Sequence, residues 1–191
     1  MEIVLVRHGK PTAAIIGENS AKLSAAEYGL WVRHYNSASV DESSRPETRS
    51  LSLFNNHYVI ASDLKRAVQS AQIYLNKMPE QQWPILREMH IPRYKMPFRF
   101  KTYSWLFLTR ILWMLGISKG ISTRVESFKT AKLRAKQAAS DLHDLAEEQQ
   151  KVIAFGHGLS NRYIREELIK LGWSLRNKSN DFWGVTCLEK L

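Results

Sequence analysis

The stretch Ile3-Val4-Leu5-Val6-Arg7-His8-Gly9 decides how the chain is read. Four β-branched or leucine side chains form an apolar run that stops at an arginine and a histidine. A run this short, bounded by polar groups, reads as a buried strand rather than a helix. Two further runs end in similar chemistry. Tyr58-Val59-Ile60-Ala61 leads into Ser62-Asp63-Leu64-Lys65-Arg66, and Val152-Ile153-Ala154-Phe155 ends in Gly156-His157-Gly158.

The segments between these strands carry helix signals. Ser24-Ala25-Ala26-Glu27 has capping-box spacing and opens a helix reaching about Tyr35. Ser62 is placed to cap a helix running to about Asn76. Thr123-Arg124-Val125-Glu126 is a second capping box, and its helix presents Phe128, Ala131, Ala135, Ala138, Leu142 and Leu145 on one face to about Gln149. Another helix is expected from about Ser160 to Leu171, with Gly172 as its C-cap. Residues 83–86 read as a third strand and residues 185–188 as a last one, with loops at 12–22 and 36–50. Strands alternating with helices predict a three-layer α/β/α sandwich on a mostly parallel central sheet.

In such a sheet, ligands bind at the carboxyl ends of the strands. Two histidines and two arginines, from distant parts of the sequence, are therefore expected at one edge. Guanidinium forks match phosphate oxygens, and Arg66 falls in the first turn of a helix, where backbone N–H groups favour an anion. A neutral histidine is a competent nucleophile toward phosphorus. Gly9, Gly156 and Gly158 flank the histidines and permit unusual backbone angles or a close approach of ligand to main chain.

The ordered set resembles the histidine phosphatase superfamily, in its phosphoglycerate mutase-like branch. Arg7-His8-Gly9 resembles its signature, Leu23-Ser24 with Gly29 its first helix, and Ser62, Leu64, Arg66, Ala67, Gln69, Ser70 and Ala71 its second motif. Leu86-Arg87-Glu88 resembles the segment carrying the acid, Glu126-Ser127 with Arg134 the opening of the next helix, and Gly156-His157-Gly158 the second histidine. The resemblance implies a mutase-like fold and a phosphatase that hydrolyses a phosphate monoester through phosphohistidine on His8. Arg7, Arg66 and His157 would clamp the phosphoryl oxygens. Glu88 would protonate the leaving alkoxide and then activate water. No metal and no cofactor are expected.

Gly9, Lys10, Ser62 and Gly158 are further candidates for substrate binding. His90 is a weaker one, and Glu126 and Ser62 also have plain readings as helix caps. After Glu88 the chain continues Met89-His90-Ile91-Pro92, not with the glycine-rich run of the mutases. That favours a phosphatase over a mutase. A non-catalytic module binding phosphorylated ligands or membranes is the alternative from another class.

The 191 residues suit one domain, 1–191. Cys187 is the only cysteine, so no internal disulfide is required. The acidic second residue and short apolar start do not resemble a signal peptide, and a cytoplasmic location is the default expectation. The net charge of +10 is concentrated: residues 93–136 hold eleven Lys or Arg and one acid, Glu126. Within this region residues 93–122 depart from the family pattern. Their apolar run is shorter than the roughly 20 residues of a membrane span, and it contains Arg110. This insertion reads as a helical lid over the cleft, as a helix lying on an acidic lipid surface, or as a dimer or partner surface. The expected partner is a small-molecule phosphate ester. Nucleic acid is not expected, and the oligomeric state is left open.

Overall fold

A computed structural model describes residues 1–14, 21–47, 53–121 and 125–191. Its centre is a six-stranded sheet of β1 (Glu2–Arg7), β2 (Tyr58–Ala61), β3 (Gln81–Gln82), β4 (Lys151–Gly156), β5 (Ser174–Asn177) and β6 (Val185–Glu189), in the order β3-β2-β4-β1-β6-β5. β3, β2, β4 and β1 run parallel, while β6 and β5 add an antiparallel edge. The helices are α1 (Ala25–Ser37), α2 (Lys65–Leu75), α3 (Thr102–Met114), α4 (Phe128–Gln149) and α5 (Gly158–Lys170), with a 3-10 turn at Pro84–Leu86.

Side-chain alternation along β1 explains the three layers. Successive residues of a strand point to opposite faces. Ile3 and Leu5 pack with Ile60, Val152 and Ala154 against α4 and α5, whereas Val4 and Val6 pack with Val59, Ile153 and Phe155 against Ala71 and Tyr74 of α2. A parallel sheet buried on both faces needs apolar residues on both, which is why its strands read as continuous runs. On its buried face α4 carries Ala131, Ala135, Ala138, Ala139 and Ala146, small residues that bring the helix close to the sheet.

Several local expectations are corrected. Residues 83–86 are not a strand: Pro84 starts a 3-10 turn, and the edge strand is the two exposed glutamines before it. Residues 12–14 are helical rather than loop, and residues 15–20 lie outside the described residues. Ser62 does not cap α2, which begins at Lys65 with Leu64 at the cap and no side-chain hydrogen bond there. The Ser62 hydroxyl accepts from the Leu64 N–H at 3.4 Å, two residues too early to serve the helix. At α4, Thr123 and Arg124 lie outside the described residues, and the cap is Ser127, which accepts from Thr130 N. Glu126 is therefore not the capping partner. It takes two hydrogen bonds from the Arg134 guanidinium and one from His90 N. The Ser24–Glu27 capping box is present in full.

Residues 93–121 wrap around α1. The Tyr28 and Trp105 rings stack at 5.2 Å, Trp105 donates to Leu23 O, and the Tyr28 and Thr109 hydroxyls share a hydrogen bond. Arg110 is turned inward and donates to the carbonyls of Met89 and His90, the residues directly after Glu88. Among the described residues no helix is long and apolar enough to cross a membrane.

Candidate active site

The β1–β4 register pairs Arg7 with Gly156. The next residue on each strand is a histidine, so His8 and His157 must emerge side by side. Their ring centroids lie 5.0 Å apart, and both residues are buried. Arg66, on the first turn of α2, reaches the same point and is also buried. Arg7, the last residue of β1, lies over the Phe182 ring at 4.0 Å and donates to Asn180 O.

The hydrogen bonds fix the tautomer of His8. Its Nδ1 lies 2.7 Å from the Gly9 carbonyl oxygen, which can only accept, so Nδ1 carries the proton. Nε2 is then the unprotonated nitrogen and accepts from Arg66 Nε at 3.1 Å. Burial, reinforced by the neighbouring Arg66 and then Arg7, holds His8 well below the usual imidazole pKa against the opposing pull of the Gly9 carbonyl. Burial and the proximity of His8, Arg66 and Arg7 do the same to His157. Both rings are neutral at pH 7.

A buried guanidinium, Arg66, and a half-buried one, Arg7, beside two buried imidazoles need compensation, and helix ends supply part of it. Arg66 donates through Nη1 to the carbonyls of Tyr35 and Asn36, in the last turn of α1. The last carbonyls of a helix lack a full set of partners within it, Tyr35 O taking only the Ala38 cap N–H at 3.4 Å, and the C-terminal end carries partial negative charge. Glu88, half-buried at the rim, has the complementary position at the start of α5. Its carboxylate accepts from the N–H groups of Leu159 and Ser160.

Four buried polar atoms around His8 have no hydrogen-bond partner among the described residues: Arg7 Nε, Arg66 Nη2, and Nδ1 and Nε2 of His157. Buried donors are almost always satisfied, so such a cluster points to a polyoxygen anion as its natural counterpart. Among the described residues no group of three or more His, Cys, Asp or Glu side chains is placed to hold a metal ion.

The remaining sequence candidates are placed less centrally. Lys10 is tied through its backbone N–H to Ser44 Oγ and through its carbonyl to Asp41 N. Ser62 is buried, its N–H bonded to Phe155 O. His90 accepts from Glu126 N through Nδ1 and lines a cleft of about 480 Å³ together with Glu88, Arg33, Arg87 and Arg134. The glycines are explained by space and not by backbone angle, since none of Gly9, Gly156 and Gly158 has a positive φ. A Cβ on Gly9 would stand 2.6 Å from Trp183 Cε2 and 2.8 Å from Val40 Cγ1, and one on Gly158 3.2 Å from Arg7 Nε.

Sequence reasoning missed the supports of this cluster. Tyr35 places its ring 5.0 Å from the Arg66 guanidinium, and Phe182 lies under Arg7. Ser70 accepts from Gly9 N and donates to Arg66 O, joining the two motifs. Ser70 stood within the quoted second motif, but no motif marked Tyr35 or Phe182.

The family model of the histidine phosphatase superfamily (branch 1) matches residues 48–189. No curated protein sequence matches the chain. Among solved structures, a mutant phosphoserine phosphatase from Entamoeba histolytica in complex with phosphoserine is similar, with 14% identity, a TM-score of 0.56, and coverage of 97% of this chain and 89% of that one. The ecdysone phosphate phosphatase from Bombix mori, in complex with tungstate, gives 15% identity, a TM-score of 0.55, and coverage of 99% and 89%. The alpha-ribazole phosphatase from Shigella flexneri gives 18%, 0.51, and 88% and 80%. At such identities these structures establish a shared fold. With paired histidines at the ends of adjacent parallel strands and a family model spanning most of its length, the chain belongs to the histidine phosphatase superfamily, branch 1.

Proposed function

We infer that this chain is a phosphomonoesterase that works without a metal ion, forming phosphohistidine on Nε2 of His8. The observation that carries this reading is the set of unpartnered buried donors of Arg7, Arg66 and His157 around a histidine whose lone pair is held on Nε2. Two guanidiniums repel a metal cation and attract a phosphate dianion.

The chemistry follows from these positions. Nε2 of His8 attacks phosphorus in line and forms a P–N bond as the P–O ester bond breaks. Arg66 releases Nε2 and, with Arg7 and His157, holds the equatorial oxygens. The leaving alkoxide takes a proton from Glu88. Water then attacks the phosphohistidine, Glu88 accepts its proton, and inorganic phosphate leaves with His8 regenerated. Glu88 is suited to both steps because it lies in a second cleft, of about 610 Å³, that it shares with Arg7 and Gly158. Residues 93–122 act in this reading as a cover: Arg93 lines the cleft beside Glu88, and Arg110 fixes the segment after it. The substrate is a small phosphate ester, and the three structural relatives named above are phosphatases.

Release of phosphate from an aryl phosphate should persist in EDTA and fall by more than about a thousandfold in His8→Ala. Isomerised phosphoglycerate without free phosphate would identify a mutase instead. Glu88→Gln should slow hydrolysis of alkyl phosphates by about 10²- to 10⁴-fold, and of esters with acidic phenol leaving groups far less, since those depart without protonation. Equal slowing of both would remove Glu88 from the role of acid.

The pH dependence of stability has a definite sign. His8 and His157 have lowered pKa values in the folded chain, against about 6.5 when unfolded. As pH falls below about 6.5 the unfolded chain binds more protons, so this share of stability, complete above 6.5, is lost toward the folded pKa values. Thermal melts should show Tm falling between about pH 6.5 and 5, and falling less in His8→Asn. Sulfate, a dianion at both pH values, should protect more at pH 6 than at pH 8, because the bound anion favours protonated His157. Equal protection at both would contradict neutral imidazoles in the free site.

A further inference from the structure

We propose that the outer face of α3, with the adjoining edge of α4, docks the protein on an anionic lipid bilayer. This inference is independent of the phosphatase reading. α3 buries Thr102, Trp105, Thr109 and Trp113 against the protein. The opposite side exposes Tyr103, Phe107, Ile111 and Met114 at helical spacing, followed by Leu115, with Phe107 71% and Leu115 70% exposed. An amphipathic helix normally turns a polar face to water. Here the face turned to water is apolar, and Arg110, the one charge of the helix, is spent inward on the carbonyls of Met89 and His90. Exposed apolar patches of this kind mark interaction surfaces.

The charge around the patch selects the partner. Met114 and Leu115 border a shallow depression of about 530 Å³ that continues onto α4, where Leu133 is 59% exposed. Lys129, Lys132 and Lys136 line the same depression, and the acid that also lines it, Glu167, is neutralised by Lys170. None of the three forms an ion pair with any described residue, whereas Lys77, Lys170, Arg162 and Arg176 are all paired with acids. Residues 93–121 add six further Lys or Arg and no Asp or Glu. Apolar side chains flanked by lysines that no acid neutralises suit the boundary between acyl chains and acidic headgroups. A second copy of the chain fits less well, because a self-contact would bring like charges together.

Vesicle co-sedimentation tests this directly, using phosphatidylcholine vesicles with and without about one third phosphatidylserine. The wild type should pellet with the anionic vesicles and not with the neutral ones, and added salt should weaken binding, each lysine near the surface contributing about fivefold. The pair Phe107→Glu, Leu115→Glu should lose binding at least about tenfold. Lys129→Gln, Lys132→Gln, Lys136→Gln should lose most of the salt-dependent part. Thermal melting shows that each variant is folded whether or not the chain proves to be a phosphatase, and aryl phosphate hydrolysis should be unchanged in the triple lysine variant, whose positions lie outside the covering segment. Equal binding to neutral and anionic vesicles, or none to either, would overturn the proposal. If sedimentation velocity instead showed a dimer that Phe107→Glu, Leu115→Glu dissolves, the face would be a self-contact and the proposal would also fail.

Discussion

Everything at the candidate site depends on holding the buried Arg66 guanidinium and two buried imidazoles together, with the half-buried Arg7 beside them. Like charges at such separations repel by several kcal/mol when solvent is excluded, so the cluster persists only if the imidazoles stay neutral and the guanidiniums find negative partial charge. Both conditions are met by backbone. The Gly9 carbonyl takes the Nδ1 proton of His8, and the C-terminal carbonyls of α1 take Arg66. Asn180 O takes one arm of Arg7. The Arg7, Arg66 and His157 nitrogens left without partners suit an anion rich in oxygens, such as a phosphoryl group.

This constraint makes distant parts of the fold interdependent. α1 must stop at Ser37 for its last carbonyls to meet Arg66, and its start is fixed by the Ser24–Glu27 capping box. α5 must start at Gly158 for its first N–H groups to meet Glu88. The stack of Tyr28 on Trp105 then couples α1 to the basic segment, and Arg110 couples that segment to the backbone directly after Glu88. A substitution in the segment can therefore affect the site without touching a substrate.

The parts legible in the sequence were those written in periodicity. The buried strands announced themselves as apolar runs because both faces of the sheet are covered, and α4 showed its alanine face. β5 was invisible for the opposite reason: Ser174-Leu175-Arg176-Asn177 is exposed throughout, so no burial pattern marks it, and its pairing with β6 includes an Arg176–Glu189 contact that only the fold brings together. The caps of α2 and α4 were misplaced because serine and threonine precede many turns. Asp63, next to the misread Ser62, is taken by Arg87 and not by a helix N-terminus. His8, His157, Arg7 and Arg66 were recoverable because each follows a strand or opens a helix. Ser70 stands in the second motif but shows its role only in the fold, and Tyr35 and Phe182 support the site through contacts that no local pattern encodes.

The most direct test of the central claim is to trap the intermediate. Enzyme mixed with excess phosphate ester and quenched within milliseconds in alkali should carry one base-stable, acid-labile phosphoryl group, located by peptide mass spectrometry on His8 and absent from His8→Ala. A phosphoryl group on another side chain, or rapid turnover with none trapped on His8, would contradict the account.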